Sequence, residues 1–430
     1  MHMEKKKIIL IGAGLRGIGY TNEFFKMDGC FEVVAVAEPI KDRRDYIMNK
    51  HGLPLEKCFE NWEPILAMDK FADAVIIATM DRDHFAPTMA AIAKGYDILL
   101  EKPIAPTPEE CFAITEAATK KDVNVLVCHV LRYTPFFRLL KKTIDDGVIG
   151  DIVSIQHAEH VGNIHQSHSF VRGNWKNSEE SSCMILQKTC HDLDILQWLI
   201  GKKCKRIHSF GSLTHFVARN APKGAPERCI DGCSCADTCV YNAVKLYLED
   251  KANAWFRMSM TKKMAPTDED VIEALYTSDY GKCVYKCNNN VVDHQIVNME
   301  FEDGITVSFT MEAFNKGSRN IRIMGTKGEI IANMSDEYIT VYEFTTRAYR
   351  KIKIAEAFAD ETINGGHGGG DTGIIESFYK LLCKDKDNSI SDIVTSCENH
   401  MLSFAAEESR ISGKVVDLDE FVSVIKRNDM

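Results

Sequence analysis

Three glycines, Gly12, Gly14 and Gly17, follow the apolar run Ile8–Ile11 and open an amphipathic stretch, and Glu38 closes the next apolar run. In that context each glycine answers a need: a tight turn, close approach of a pyrophosphate, and close packing of helix on strand. The helix N-terminus behind them offers N–H groups and a positive dipole end to an anion. Glu38 is placed to accept hydrogen bonds from an adenosine ribose, which favours NAD; Arg43 and Arg44 follow closely and leave NADP open. Other reactive groups cluster further on. Cys229, Cys233, Cys235 and Cys239 follow a C-x3-C-x-C-x3-C spacing rather than paired C-x2-C knuckles, so metal binding and free thiols both stay open. His160, His165 and His168 lack the one-face spacing of helical metal pairs, and no metal is expected there.

These groups need a scaffold, and the periodicity supplies one. From Lys7 to Val127 short apolar runs alternate with amphipathic stretches, the pattern of βαβ units feeding a parallel sheet. The strands expected are Ile8–Ile11, Val33–Ala37, Ala74–Ala78, Ile98–Leu100 and Asn124–Val127, with helices after Gly14, near Asp42, at Asp83 and at Pro108. Beyond Arg132 longer alternating strands take over. Glu302-Asp303-Gly304 and Gly325-Thr326-Lys327-Gly328 read as hairpin turns, and Thr189–Leu199, Thr372–Cys383 and Asp392–Ser412 as helices. The fold class expected is α/β: a Rossmann domain with a parallel sheet over residues 1–130, then an α+β domain over 131–430 on a large, mostly antiparallel sheet. A Cys-rich insertion lies around 221–267.

Further motifs bring a resemblance into view: Ala78-Thr79 followed by His84, the tripeptide Glu101-Lys102-Pro103, His129–Tyr133 with Arg132, His191-Asp192-Leu193-Asp194, and His367-Gly368-Gly369-Gly370-Asp371. With the glycine loop, they make the chain resemble the Gfo/Idh/MocA oxidoreductases, which include glucose-fructose oxidoreductase and inositol dehydrogenases. The resemblance implies a nicotinamide-dependent hydride transfer at a hydroxyl-bearing carbon of a sugar, sugar derivative or cyclitol. It implies Lys102 and His191 as the catalytic pair beside the reacting carbinol. Cofactor contacts would come from Gly12, Gly14, Leu15, Arg16, Gly17 and Glu38, and from Thr79, His84, Glu101, Lys102 and Arg132. Substrate contacts would come from Lys102, Arg172, Trp175, Lys188 and His191.

The chemistry agrees with that pair. Oxidising a secondary alcohol removes a hydride from carbon and a proton from oxygen, so a base must reach the hydroxyl. Histidine titrates near neutrality, and His191 is expected to be the principal base, with Lys102 orienting and polarising the hydroxyl; the roles can also be exchanged. The chain departs from the family pattern at Gln187, where many relatives carry an aspartate, and next to it Lys188 adds a positive charge near Lys102. The run His165–Trp175 combines ring faces with fork-like donors, as carbohydrate sites do.

Composition narrows the partners. A formal charge of −10 offers no basic field for nucleic acid or anionic lipid. The apolar run behind Met1–Lys7 is too short for a signal h-region, and 15 cysteines in so long a chain suit a reducing cytoplasm rather than a disulfide framework. A homo-oligomer, dimer or tetramer, is expected through the sheet of the second domain. Two rival functions stay in view: a redox-neutral glycosidase of the same family that retains NAD, and a non-catalytic sensor of NAD or sugar. Lys102 and His191 argue against the sensor.

Overall fold

Five apolar runs and one short edge strand become one parallel sheet in the computed structural model, which describes residues 4–27, 29–250, 253–358, 366–384 and 391–428. The strands are β1 (Lys6–Ile11), β2 (Phe31–Ala37), β3 (Cys58–Phe59), β4 (Ala74–Ile77), β5 (Asp97–Leu100) and β6 (Val125–Val127), in the order β3-β2-β1-β4-β5-β6. Every pairing is parallel. The two-residue edge strand β3 has no apolar run of its own and was not foreseen. Successive side chains go to opposite faces, as the pleat requires. Ile9, Ile11, Val75, Ile77 and Ile98 pack on one face and Ile8, Leu10, Ala74, Ile76 and Leu99 on the other, so nothing in the centre of the sheet meets water.

Helices cover both faces. On the first lies Pro108–Lys121, begun by Pro108 in its first turn and by Thr107, whose hydroxyl accepts the Glu110 N–H. On the second lie Leu15–Glu23 and, from the far end of the chain, Gly370–Leu382, which buries Ile374, Ile375 and Phe378 against the sheet. The helix Ile393–Ser412 ties the two halves together. Its Ile393, Cys397 and Met401 pack on the parallel sheet, while Leu402, Ala405 and Ala406 pack on the second core.

The second sheet has nine strands: β7 (Ile152–His160), β8 (Cys204–Ser212), β9 (His294–Phe301), β10 (Thr306–Glu312), β11 (Ser318–Gly325), β12 (Gly328–Asn333), β13 (Tyr338–Glu343), β14 (Ala348–Lys353) and β15 (Val416–Asp417). Their order is β14-β13-β12-β11-β7-β10-β9-β8-β15. All neighbours are antiparallel except β7 and β10. Both expected hairpins are present, turning at Glu302–Gly304 and between β11 and β12. One face buries Ile155, Val297, Val307, Phe309 and Ile323, and the helix Cys190–Ile200 packs its Leu193, Leu196 and Leu199 into the same core. The insertion is irregular from 221 to 242, then helical through Lys245–Glu249, at Ala254–Thr261 and at Asp268–Thr277.

The glycine loop allows a direct test of this packing. A Cβ on Gly17 would stand 2.1 Å from the Gly12 carbonyl oxygen and 3.1 Å from Leu10 Cδ1. Gly17→Ala must therefore lift the helix from β1. The expected cost is about 1–3 kcal/mol, read by denaturant unfolding, with NAD affinity falling in a parallel titration.

Candidate active site

At the carboxyl ends of β1, β2 and β4 the glycine loop is built as the spacing demands. Gly12 has φ +86°, and a Cβ there would meet the Ala78 carbonyl carbon and oxygen at 2.6 Å. Gly14 is the N-cap of Leu15–Glu23, and a Cβ on it would meet only the Arg43 guanidinium, at 4.0 Å. The loop thus has one closed side, against β4, and one open side, above the first turn of a helix whose leading N–H groups lack helical acceptors. That cradle fits a dinucleotide pyrophosphate. Glu38, buried, accepts the Ala13 N–H at 2.7 Å and the Ile40 N–H at 3.0 Å, so one carboxylate locks the glycine loop to the end of β2. Arg44 is tied down, donating to the Glu38 and Pro39 carbonyls. Arg43 is not, and stands half-buried beside Gly14 and Glu38, its pKa lowered by burial against the pull of Glu38.

The Glu101-Lys102-Pro103 loop, with its Lys102–Pro103 peptide cis, leaves the end of β5. Glu101 does not face the open side. It accepts from Arg16 Nε at 2.7 Å, from the Tyr20 hydroxyl at 2.5 Å and from the Lys102 N–H at 2.8 Å. Burial pushes its carboxyl up, but Arg16, Lys102 and Tyr20 outweigh that and hold it below the usual carboxylate range. Arg16 also donates to both oxygens of Asp371, at 3.0 and 2.8 Å. Its guanidinium therefore crosslinks the glycine helix, the Glu101-Lys102-Pro103 loop and the helix Gly370–Leu382. Whatever Arg16 contributes to a phosphate comes from its backbone. His84 is likewise internal: Nδ1 lies 2.6 Å from the Pro103 carbonyl and Nε2 3.3 Å from that of Thr79, which fixes the two loops to each other.

Lys102 reaches across the cleft to the second domain. Its ammonium donates to the Gln187 carbonyl at 2.6 Å, at the end of the short helix Met184–Gln187 and one residue before Lys188. The next helix, Cys190–Ile200, carries His191 in its first turn, mostly buried. The chain thus brings Lys102 to the turn that presents His191. Gln187 is fully used as a strut, donating to the Trp175 carbonyl at 2.8 Å and accepting from Ser181 at 2.9 Å. The Trp175 indole donates to Asp81 at 3.1 Å, and Asp81 also accepts from Ser181 and Ser182. Asp81, which sequence reading passed over, ties the Trp175–Ser182 loop to the first domain, and Arg82 adds a bond to the Ser178 carbonyl at 3.1 Å.

Lys188 lies 3.3 Å from Glu159, which also pairs with Arg319; Arg319 and His157 meet Asp192 at 2.8 Å. Burial lowers the Lys188 pKa, with Arg319 and Lys102 adding to it against Glu159. The expected second cation near Lys102 is therefore in place, held by a buried lattice beneath the His191 helix. Two aromatic residues join it: His165, from the run of ring faces and fork-like donors, and Trp255, which the sequence did not mark. His165 stands within electrostatic reach of Lys188 and Lys102, its imidazole pKa lowered first by burial, and Trp255 from the insertion meets its ring edge-on at 5.6 Å. His129, fully buried, sits 5.9 Å from the His191 ring and 3.8 Å from Asp194. Burial pushes it down to about 4, so it is neutral at pH 7.

Two arginines stand elsewhere than their motifs suggested. Arg132 forms a buried bidentate pair with Asp194, at 2.8 and 2.7 Å, which anchors the His191 helix rather than a cofactor. Arg172 turns into the insertion, donating to the carbonyls of Lys282 and Tyr241 at 2.8 Å, and is not brought to Lys102. Of the segment Gly365–Asp371, Asp371 closes the Arg16 network, while Gly365 and the His367 side chain lie outside the described residues.

Lys102, Lys188 and the first turn that carries His191 are thus drawn together where the two domains meet. Comparison with known proteins agrees. Residues 6–129 match the oxidoreductase family's NAD-binding Rossmann fold, and residues 141–364 its C-terminal alpha/beta domain. A Bacillus subtilis (strain 168) protein carrying the provisional name oxidoreductase YteT is 27% identical over 349 residues, 78% of either chain. Inositol 2-dehydrogenase of Klebsiella pneumoniae (strain MGH 78578) is 28% identical over 202 residues, 47% of this chain and 56% of its own. A structure of levoglucosan dehydrogenase in complex with NADH superposes with a TM-score of 0.70 at 18% identity, over 96% of this chain and 99% of that one. The chain is a member of the GFO/IDH/MocA oxidoreductase family, an enzyme with an NAD-binding Rossmann domain.

Proposed function

We propose that this enzyme is a dehydrogenase that exchanges hydride between NAD and a secondary hydroxyl of a sugar, sugar derivative or cyclitol. The observation that carries the reading is Lys102 stretched across the cleft to the Gln187 carbonyl, one turn from His191. A substrate hydroxyl entering there would replace that carbonyl as the acceptor of the Lys102 hydrogen bond. His191, in the first turn of Cys190–Ile200, takes the hydroxyl proton. Lys102 and Lys188 give the oxygen-rich substrate donors and stabilise charge developing on the alkoxide. Bound NAD supplies the hydride acceptor. Glu38 discriminates against a 2′-phosphate, which would meet a buried carboxylate.

The site suits a neutral polyol, and the −10 formal charge of the chain gives polyanions no general attraction. Fifteen cysteines in so long a chain suit a reducing cytoplasm; among the described residues no helix is long and apolar enough to cross a membrane. Pairing of two chains would cover Phe210, Ile296 and Ile331 on the open face of the nine-stranded sheet.

One observation favours the redox-neutral alternative. The insertion reaches the adenosine end, where the Met264 N–H donates to Asp42 at 2.8 Å, an arrangement that would slow cofactor exchange. A panel of aldoses, alditols, anhydro-sugars and cyclitols, assayed with NAD and separately with NADP, tests the proposal. The expected result is NADH formed with at least one neutral polyol and a clear preference over NADP. Glycoside cleavage without NADH would instead support the alternative.

A further inference from the structure

Away from the cleft, the insertion gathers cysteines around a buried arginine. Backbone bonds do the gathering. The Cys229 N–H donates to the Gly281 carbonyl and the Cys283 N–H to the Glu227 carbonyl, both at 2.9 Å, so Arg228 and Lys282 pair as an antiparallel bridge and set Cys229 beside Cys283. The Ala236 N–H donates to the Cys233 carbonyl and the Cys239 N–H to the Cys235 carbonyl, winding this stretch into tight turns. Arg172, Cys229, Cys233, Cys235, Cys239 and Cys283 share one small cavity of about 10 Å³, room for roughly one water-sized body.

Arg172 makes that cavity unusual. It is 1% exposed, and its Nη2 lies 3.7 Å from the Cys229 sulfur while Nη1 has no hydrogen-bond partner among the described residues. Its other acceptors are backbone carbonyls, and no carboxylate pairs with it among the described residues. A guanidinium keeps its charge at any physiological pH, and buried charge is normally paired. The groups able to supply the missing negative charge are the thiols around it and the Tyr247 hydroxyl; burial pushes that hydroxyl up to about 12 and keeps it neutral, and protonated thiols carry no charge either. A coordinated metal deprotonates its thiols outright.

We propose that Cys229, Cys233, Cys239 and Cys283 hold a single thiophilic divalent ion, zinc by ligand softness and tetrahedral sulfur coordination, with Arg172 donating to the coordinated Cys229 sulfur. Four thiolates leave the centre doubly negative, and Arg172 cancels half of that charge. Among the described residues no three His, Cys, Asp or Glu side chains stand ready around a common centre, so binding turns the thiols inward on their Cβ bonds. The benefit is local. Residues 221–242 form no helix and no strand beyond the single bridge at Arg228, and such a segment gains order from a metal crosslink that a small satellite core cannot supply. The centre is independent of the hydride chemistry.

The test uses the full chain purified under reducing conditions without added metal. Elemental mass spectrometry after dialysis should find one zinc per chain. A mercurial should release it, and cobalt should replace it with thiolate charge-transfer and tetrahedral ligand-field bands. Cys239→Ser and Cys283→Ser should each lose most of the metal. Should those variants not fold, the wild-type metal content and thiol titration decide. Metal-free wild type whose thiols react with Ellman's reagent equally with and without chelator would overturn the proposal. So would disulfides among these cysteines, or iron accompanied by acid-labile sulfide.

Discussion

Lys102→Met and His191→Asn should each lower turnover by roughly 10²–10⁴-fold, the usual worth of a positioned acid–base group, while the protein still binds NAD. The two substitutions act on different halves of one event. Lys102→Met removes the only side chain that crosses from the β5 end to the Gln187 carbonyl among the hydrogen bonds described, and with it the donor that fixes the hydroxyl. His191→Asn keeps a polar group in the first turn of Cys190–Ile200 but removes the base. Steady-state kinetics with the best substrate of the panel, beside NAD titration of each variant, reads both effects. Because the two groups serve one proton transfer, the double variant should be little worse than either single one. Unchanged activity in both would leave the sensor reading as the better account.

Asp194→Asn should produce the largest loss of stability. The carboxylate accepts both Arg132 donors and the Asn399 amide in complete burial. The amide that replaces it leaves a guanidinium without its counter-charge, a cost of about 3–5 kcal/mol, or roughly 3–6 °C in the thermal transition for a protein of this size. The effect depends on pH with a definite sign. Burial raises the Asp194 carboxyl, but Arg132 outweighs it and holds the folded pKa below the ordinary value. The stabilisation is therefore fully present above about pH 4 and fades as pH falls towards the depressed value. The gap between wild type and Asp194→Asn, measured by denaturant unfolding, should narrow in acid. Activity should fall as well, since Asp194 lies one helical turn from His191 and beside His129.

The parts of this site that sequence made legible are local ones. The glycine loop, Glu38 and the strand-end lysine each depend on neighbours a few residues away, and periodicity alone places them at the carboxyl ends of a parallel sheet. The arginines were not legible for the opposite reason. Arg16 is held by Asp371, 355 residues later, and Arg172 by Lys282, 110 residues later; nothing near either residue announces its partner. Strand β7 was hidden differently. Its buried positions include His157 and Glu159, so the apolar alternation that marks a half-buried strand is broken by the lattice that supports Lys188 and Asp192. The insertion's part in the cleft, through Trp255 and Met264, follows from a chain reversal that no local pattern specifies.

The central claim, that Lys102 and His191 serve a net hydride transfer from a carbinol carbon to NAD, is tested most directly by isotope. The best substrate of the panel, deuterated at the reacting carbon, is turned over with excess NAD, and the released dinucleotide is weighed by mass spectrometry. The account predicts deuterium on the nicotinamide ring of free NADH, one label for each carbonyl product formed. Label returned to the carbohydrate, with no free labelled NADH, would contradict it.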